Sequence, residues 1–324
     1  MERVLEVNNL KVEFMLKRKS IAAVEDISFH LDKGKTLCIV GESGCGKSVT
    51  ATSIMRLYDS SIARITEGSI LFDQKDLAKC TDKEIRDICG KDISMIFQEP
   101  MTSLNPVYTI GQQMIEMIRS HQKISKKEAF DYAVQMLEKV KIPEPEKRMK
   151  DYPHQFSGGM RQRVMIAMAL SCKPKILICD EPTTALDVTV QKQILNLIDD
   201  LKESMGTSEI LITHDMGVVA EMADDTLVMY AGKVVEYNNA DEIFRNPQHP
   251  YTKGLLKSIP HINDSVEMLP TIEGTVPTIV NMPKGCRFAD RCPSCTQKCK
   301  EQDSPLFDVN GGKVRCWLYE KDAK

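Results

Sequence analysis

Short apolar runs and helical repeats alternate along roughly the first 245 residues of the chain. The runs Thr36 to Val40, Ile93 to Phe97, Ile176 to Cys179, Glu209 to Thr213 and Thr226 to Tyr230 read as strands. Strands separated by helical stretches predict an α/β domain with a largely parallel sheet. The plainest helix runs from Ser125 to Lys141. There Ala129, Tyr132, Ala133, Met136, Leu137 and Val140 recur at helical spacing behind a Ser125/Glu128 capping box. A second helix runs from about Val188 to Met205, with Ile194, Leu197, Ile198 and Leu201 on one face and Gly206 placed to cap it. About 80 residues of mainly helical pattern separate the second strand from the third, so the sheet domain carries a helical insert.

The pattern changes near residue 245: eight of the 15 prolines fall in the final 78 residues. Proline in such density excludes a mostly helical or central-strand segment and predicts a separate, loop-built appendage starting at about 245 to 255. Five of the 11 cysteines (Cys286, Cys292, Cys295, Cys299 and Cys316) lie in it. The formal net charge of -3 gives no global pull toward nucleic acid or anionic lipid. No apolar run approaches the roughly 20 residues of a membrane span, and residues 1–10 carry no signal-peptide core, so the chain is expected in the cytosol with its thiols reduced. Cys38, Cys172 and Cys179 stand in apolar context and read as core packing.

Gly41-Glu42-Ser43-Gly44-Cys45-Gly46-Lys47-Ser48 follows the first strand and opens a helical stretch from Ser48 to Leu57. This is a GxxxxGK[ST] loop in the strand-loop-helix setting it requires. Its glycines turn backbone N–H groups onto phosphate oxygens and the helix N-terminus adds its dipole; Lys47 is placed for the β and γ phosphates and Ser48 for Mg2+. Cys45, inside the loop, is expected to be exposed and open to thiol-blocking reagents. The strand Ile176 to Cys179 runs into Asp180 and Glu181, two acids at a carboxyl strand end. In a phosphate site Asp180 holds Mg2+ and Glu181 polarises the attacking water. Together these predict a Mg-dependent nucleoside triphosphatase.

Phe156-Ser157-Gly158-Gly159-Met160-Arg161-Gln162-Arg163 precedes a Met/Ala-rich helical run and offers a hydroxyl and backbone amides at a helix N-terminus, a second surface for phosphate. Here the sequence resembles the ATP-binding cassette family, whose signature is LSGGQ, with Phe156 and Met160 in place of Leu and Gln. The resemblance covers residues 1 to about 245. It implies an α/β fold of the RecA-like P-loop NTPase class: a mostly parallel sheet core, an amino-terminal antiparallel β portion, a helical subdomain at about 99–172, and a small Cys/Pro-rich extension. Domains are accordingly expected at 1–250 and 251–324.

By the same resemblance two cassettes face head to tail, and the signature Ser157, Gly158, Gly159 and Met160 of one closes on the γ-phosphate held by the other. ATP contacts are expected from Phe14, against adenine, and from Gly41 through Val49. Gln98 matches the Q-loop residue that contacts Mg2+ and the attacking water, Asp187 the D-loop, and His214 the switch histidine that senses γ-phosphate. The catalytic set is then Glu181, His214, Gln98 and Lys47, with Ser48, Gln98 and Asp180 around Mg2+.

A narrower resemblance rests on three stretches: Gln98-Glu99-Pro100-Met101-Thr102-Ser103-Leu104-Asn105-Pro106, the Phe-Ser-Gly-Gly-Met signature, and His249-Pro250-Tyr251-Thr252-Lys253-Gly254-Leu255-Leu256. These look like the D-type ATPase subunit of bacterial oligopeptide and dipeptide importers, which have nickel-importing relatives. It implies a homologous ATPase as partner, in a heterodimer or, in isolation, a homodimer. It also implies two membrane permease subunits, an external peptide-binding protein, no nucleic acid, and a peripheral place on the cytoplasmic face of the membrane. A nickel or other small-solute importer and a soluble cassette ATPase stand as alternatives. Cys286, Cys292, Cys299 and Cys316 are spaced by five, six and 16 residues. Some importer ATPases carry a 4Fe-4S cluster on this pattern; four thiolates also suit zinc, and Cys295 is a candidate substitute ligand. Arg287, Arg291, Lys298 and Lys300 offer counter-charge to a cluster or a solvated face.

Overall fold

The computed structural model describes residues 2–16, 19–98, 103–184, 186–259 and 271–320. The chain forms two compact units, one of residues 1–79 with 212–324, the other of residues 80–211.

The first unit begins with β1 (Arg3–Leu16), β2 (Lys19–Asp32), β3 (Thr36–Val40), β4 (Ala63–Phe72) and β5 (Lys75–Asp76). An antiparallel sheet runs β2-β1-β4-β5. Along β1 the buried side chains are Leu5, Val7, Leu10 and Val12. The step from Val7 to Leu10 breaks the period of two, and a bulge with Asn9 at φ +47° absorbs the extra residue so that one face stays buried. All five residues of β3 are buried, as a strand covered on both faces requires. The helix Lys47–Ile54 follows it through the glycine-rich loop.

The second unit holds β6 (Ile93–Ile96), β7 (Ile176–Asp180) and the start of β8 (Ser208–Thr213), on which the chain passes back to the first unit. They stand in the order β8-β7-β6, with β6 and β7 parallel. The helices between β6 and β7 include Ile110–His121, Lys126–Lys139 and Gly158–Leu170. The Ser125/Glu128 box caps Lys126–Lys139 as its spacing predicts. Helix Val188–Met205 ends on Gly206, which takes the left-handed conformation at φ +67°.

Back in the first unit, β9 (Asp225–Tyr230) pairs parallel with β3, and β10 (Lys233–Asn239) turns back antiparallel on β9. The C-terminal region then supplies β11 (Phe307–Val309) and β12 (Gly312–Val314), giving the order β11-β12-β10-β9-β3. The expected separate, loop-built appendage is therefore corrected. It adds two strands to the sheet, and it packs Tyr251 and Phe288 into the core of this unit. The prolines mislead because those among the described residues stand outside the strands: Pro250 opens a helix and Pro305 precedes β11.

Candidate functional site

β3 delivers the chain into the phosphate loop, where geometry dictates glycine. Gly41 has φ +152°, and a Cβ there would lie 2.2 Å from the Met229 carbonyl oxygen. Gly46 caps the helix Lys47–Ile54 at φ +100°, and its Cβ would lie 2.5 Å from Val24 Cγ1. Lys47 is buried, and its Nζ donates to the carbonyl oxygens of Gly41 (2.7 Å) and Glu42 (3.2 Å). Ser43, Gly44 and Ser48 are exposed, and Val49 is half-buried beyond them. The lysine is thus folded back along a loop whose rim is open to solvent.

Cys45 departs from expectation. It is fully buried, and burial pushes its thiol above the ordinary range, so the residue packs the underside of the loop instead of meeting reagents. Phe14 lies half-buried on β1 of the same unit, and His214 is exposed in the turn after β8. Asp215 behind His214 caps the next helix, its Oδ1 accepting from Gly217 N at 2.8 Å.

In the second unit two predicted site residues meet. Gln98 Nε2 donates to Glu181 Oε2 at 3.2 Å, and Thr184 Oγ1 donates to the same oxygen at 3.0 Å. Glu181 sits immediately past β7 with φ +45°, a conformation that costs a glutamate energy and aims its side chain off the strand axis. Asp180, the last residue of β7, is buried. Asp187 caps helix Val188–Met205 through Val190 N at 2.9 Å. Ser157 caps helix Gly158–Leu170 through Met160 N at 3.3 Å and is itself exposed. Gly158 and Gly159 form the first turn, and a Cβ on Gly159 would lie 3.2 Å from Val190 Cγ1. The signature therefore presents an exposed helix N-terminus.

Two contacts to the phosphate loop escaped sequence reasoning. The Glu42 N–H donates to Tyr251 Oη at 2.9 Å, and Arg291 Nη1 donates to both Glu42 carboxylate oxygens at 3.0 Å. No local signal links positions more than 200 residues apart. Two other cations of the cysteine region are paired as well: Arg287 with Glu25 and Lys298 with Glu320.

Cys286, Cys292, Cys299 and Cys316 line one cavity of about 210 Å³, and Cys295 is not in its wall. Burial, aided by Cys299 and Cys316, pushes the Cys286 thiol up to about 12, and burial likewise raises Cys292 and Cys316. Among the described residues no three His, Cys, Asp or Glu side chains are placed to hold a metal ion. Nor is any described helix long and apolar enough to cross a membrane.

The sequence profile of the ABC transporter family matches residues 24–184, and that of the oligopeptide/dipeptide transporter C-terminal region matches residues 235–299. The chain is 54% identical to the oligopeptide transport ATP-binding protein AppD of Bacillus subtilis, over 100% of this chain and 99% of that protein. It is 52% identical to the dipeptide transport ATP-binding protein DppD of the same organism, over 100% and 97%. Among solved structures, it is similar to the ATP-binding cassette MJ0796, determined as a dimer in a post-hydrolysis state bound to ADP and Pi. The TM-score is 0.65 at 26% identity, covering 73% of this chain and 98% of that one.

Proposed function

The chain belongs to the ABC transporter family, among the ATP-binding proteins of oligopeptide and dipeptide transport, and from that premise we propose how its residues divide the work. It is an ATPase that powers peptide import. Residues 1–250 act as the nucleotide-binding domain, with the helical subdomain at about 99–172, and residues 251–324 form the importer-specific extension.

Lys47 leaves its two loop carbonyls for the β and γ phosphates, while the loop amides and the N-terminus of helix Lys47–Ile54 take the remaining oxygens. Phe14 stacks on adenine. Ser48, Gln98 and Asp180 offer the oxygen donors that Mg2+ prefers, and the ion neutralises charge on the phosphates when bound. Glu181 accepts a proton from the attacking water, and Gln98 and Thr184 hold one of its carboxylate oxygens and so orient the group. His214 senses the γ-phosphate, and Asp187 holds the start of its helix at the subunit boundary.

Transfer depends mainly on positioning and charge neutralisation, so the site is incomplete until a second signature covers it. The exposed Ser157 at a helix N-terminus is the observation that carries this reading, and the dimer formed by MJ0796 agrees with it. The partner is a homologous ATPase. The pair works beneath two permease subunits on the cytoplasmic face of the membrane, and an external binding protein delivers peptide. In the reconstituted complex, loaded binding protein is expected to stimulate ATP hydrolysis several-fold. Stimulation by nickel and not by peptide, or hydrolysis indifferent to the permease, would refute the cargo assignment.

The cysteine cavity is the candidate place for a second, structural element. The four thiols that line it are the donor type that a 4Fe-4S cluster or zinc takes, although no three described side chains are placed to hold an ion. Bound there, either would deprotonate the thiols and staple the C-terminal region. Iron and sulfide analysis of anaerobically purified protein is expected to give four of each per chain, as the cluster requires; zinc at about one per chain would select the alternative, and protein free of both metals would remove the assignment.

A further inference from the structure

We propose that Arg291 is a positioning residue of the phosphate loop, holding and neutralising the Glu42 carboxylate so that affinity for MgATP is set in part from outside the cassette core. The inference rests on the reading of Gly41 to Ser48 as the triphosphate site. Glu42 is the second residue of that loop, a negative charge where a polyanion must bind. Both of its exposed functions are taken. The backbone N–H goes to Tyr251, which is fully buried and packs edge-on against Tyr230 at 4.7 Å. The carboxylate goes to Arg291, whose side chain is 6% exposed against 30% for Glu42.

Arg291 is itself held from four sides. Its Nε and Nη2 donate to the carbonyl oxygens of Glu273 (2.9 Å) and Ile272 (3.0 Å), and Nη1 also donates to Tyr230 Oη at 3.2 Å. The guanidinium carbon lies 5.6 Å from the Tyr230 ring centroid. A cation fixed this firmly is pre-organised, and its charge is felt more strongly than that of a solvated lysine. Tyr251 and Arg291 both fall in the segment matched by the importer C-terminal profile, beyond the stretch matched by the ABC profile. The extension therefore reaches the loop at Glu42.

The test titrates MgATP onto the full-length chain and measures steady-state hydrolysis in the assembled complex. Arg291→Ala leaves the Glu42 carboxylate uncompensated beside the phosphates and should weaken MgATP binding about tenfold. KM for ATP should rise by a similar factor while kcat stays within about twofold, because the chemistry at Glu181 is untouched. Adding Glu42→Gln in the same chain should recover most of the affinity, which a purely structural role for Arg291 would not allow. Arg291→Lys should lose less than Arg291→Ala.

Glu42→Gln alone needs no change at Arg291 and should tighten binding about threefold, since the arginine then faces the triphosphate without its counter-ion. Unchanged affinity in Arg291→Ala, failure of Glu42→Gln to restore it, or weaker binding by Glu42→Gln alone overturns the proposal. Lys47→Ala run in parallel separates the two readings. If it binds MgATP normally, the loop assignment itself fails; if it loses binding while Arg291→Ala binds with native affinity, only the present inference fails.

Discussion

Glu181→Gln is expected to lower ATP turnover by at least about 100-fold while the nucleotide still binds. The side chain stands just past β7 at φ +45°, and Gln98 and Thr184 hold one of its oxygens at 3.2 and 3.0 Å. Glutamine has the same shape and retains an oxygen for those contacts. It cannot accept a proton from water, so the change removes chemistry and leaves architecture. MgATP affinity should stay within a few-fold of the native value, and the nucleotide-sandwiched pair should accumulate because its exit by hydrolysis is closed. Single-turnover hydrolysis in the assembled complex, beside equilibrium binding, measures both. Normal hydrolysis by this variant would contradict the assignment of the base.

Lys47→Ala should fail one step earlier, with MgATP affinity falling about 100-fold and turnover falling with it. Lys47 Nζ donates to the carbonyl oxygens of Gly41 and Glu42, so the buried amine is aimed along the loop. Alanine removes the cation that faces the triphosphate and strands the two carbonyls as well. The two variants therefore divide the reaction: Lys47→Ala loses binding and hydrolysis together, Glu181→Gln hydrolysis alone. Isothermal titration with MgATP checks the contrast, and native affinity in Lys47→Ala would refute the phosphate-loop reading.

What could be read from the sequence was what is local in it. The strand Thr36–Val40 is covered on both faces and reads as an unbroken apolar run, and the helix Lys126–Lys139 announces itself through its cap and its repeat. The phosphate loop, the acids after β7 and the signature turn are likewise continuous stretches whose chemistry follows from residue type and spacing. Pairing over long distances was not legible. The strands β11 and β12 are three residues each, too short to show a period, and their place beside β10 depends on a partner some 75 residues away. A loop position leads one to expect an exposed Cys45; the fold instead buries it. Arg291 looked like counter-charge for the neighbouring cysteines, and only the fold brings it to Glu42.

In the proposed function this chain forms half of a nucleotide clamp, with its own phosphate loop completed by another subunit's signature. Sedimentation of the Glu181→Gln chain with its paired ATPase subunit, with and without MgATP, tests that most directly. Monomers are expected without nucleotide and dimers with it, and the dimer should be lost when Ser157→Arg is placed in both signatures at the equivalent serine. Chains that remain monomeric at saturating MgATP, or dimers indifferent to the serine substitution, would contradict it.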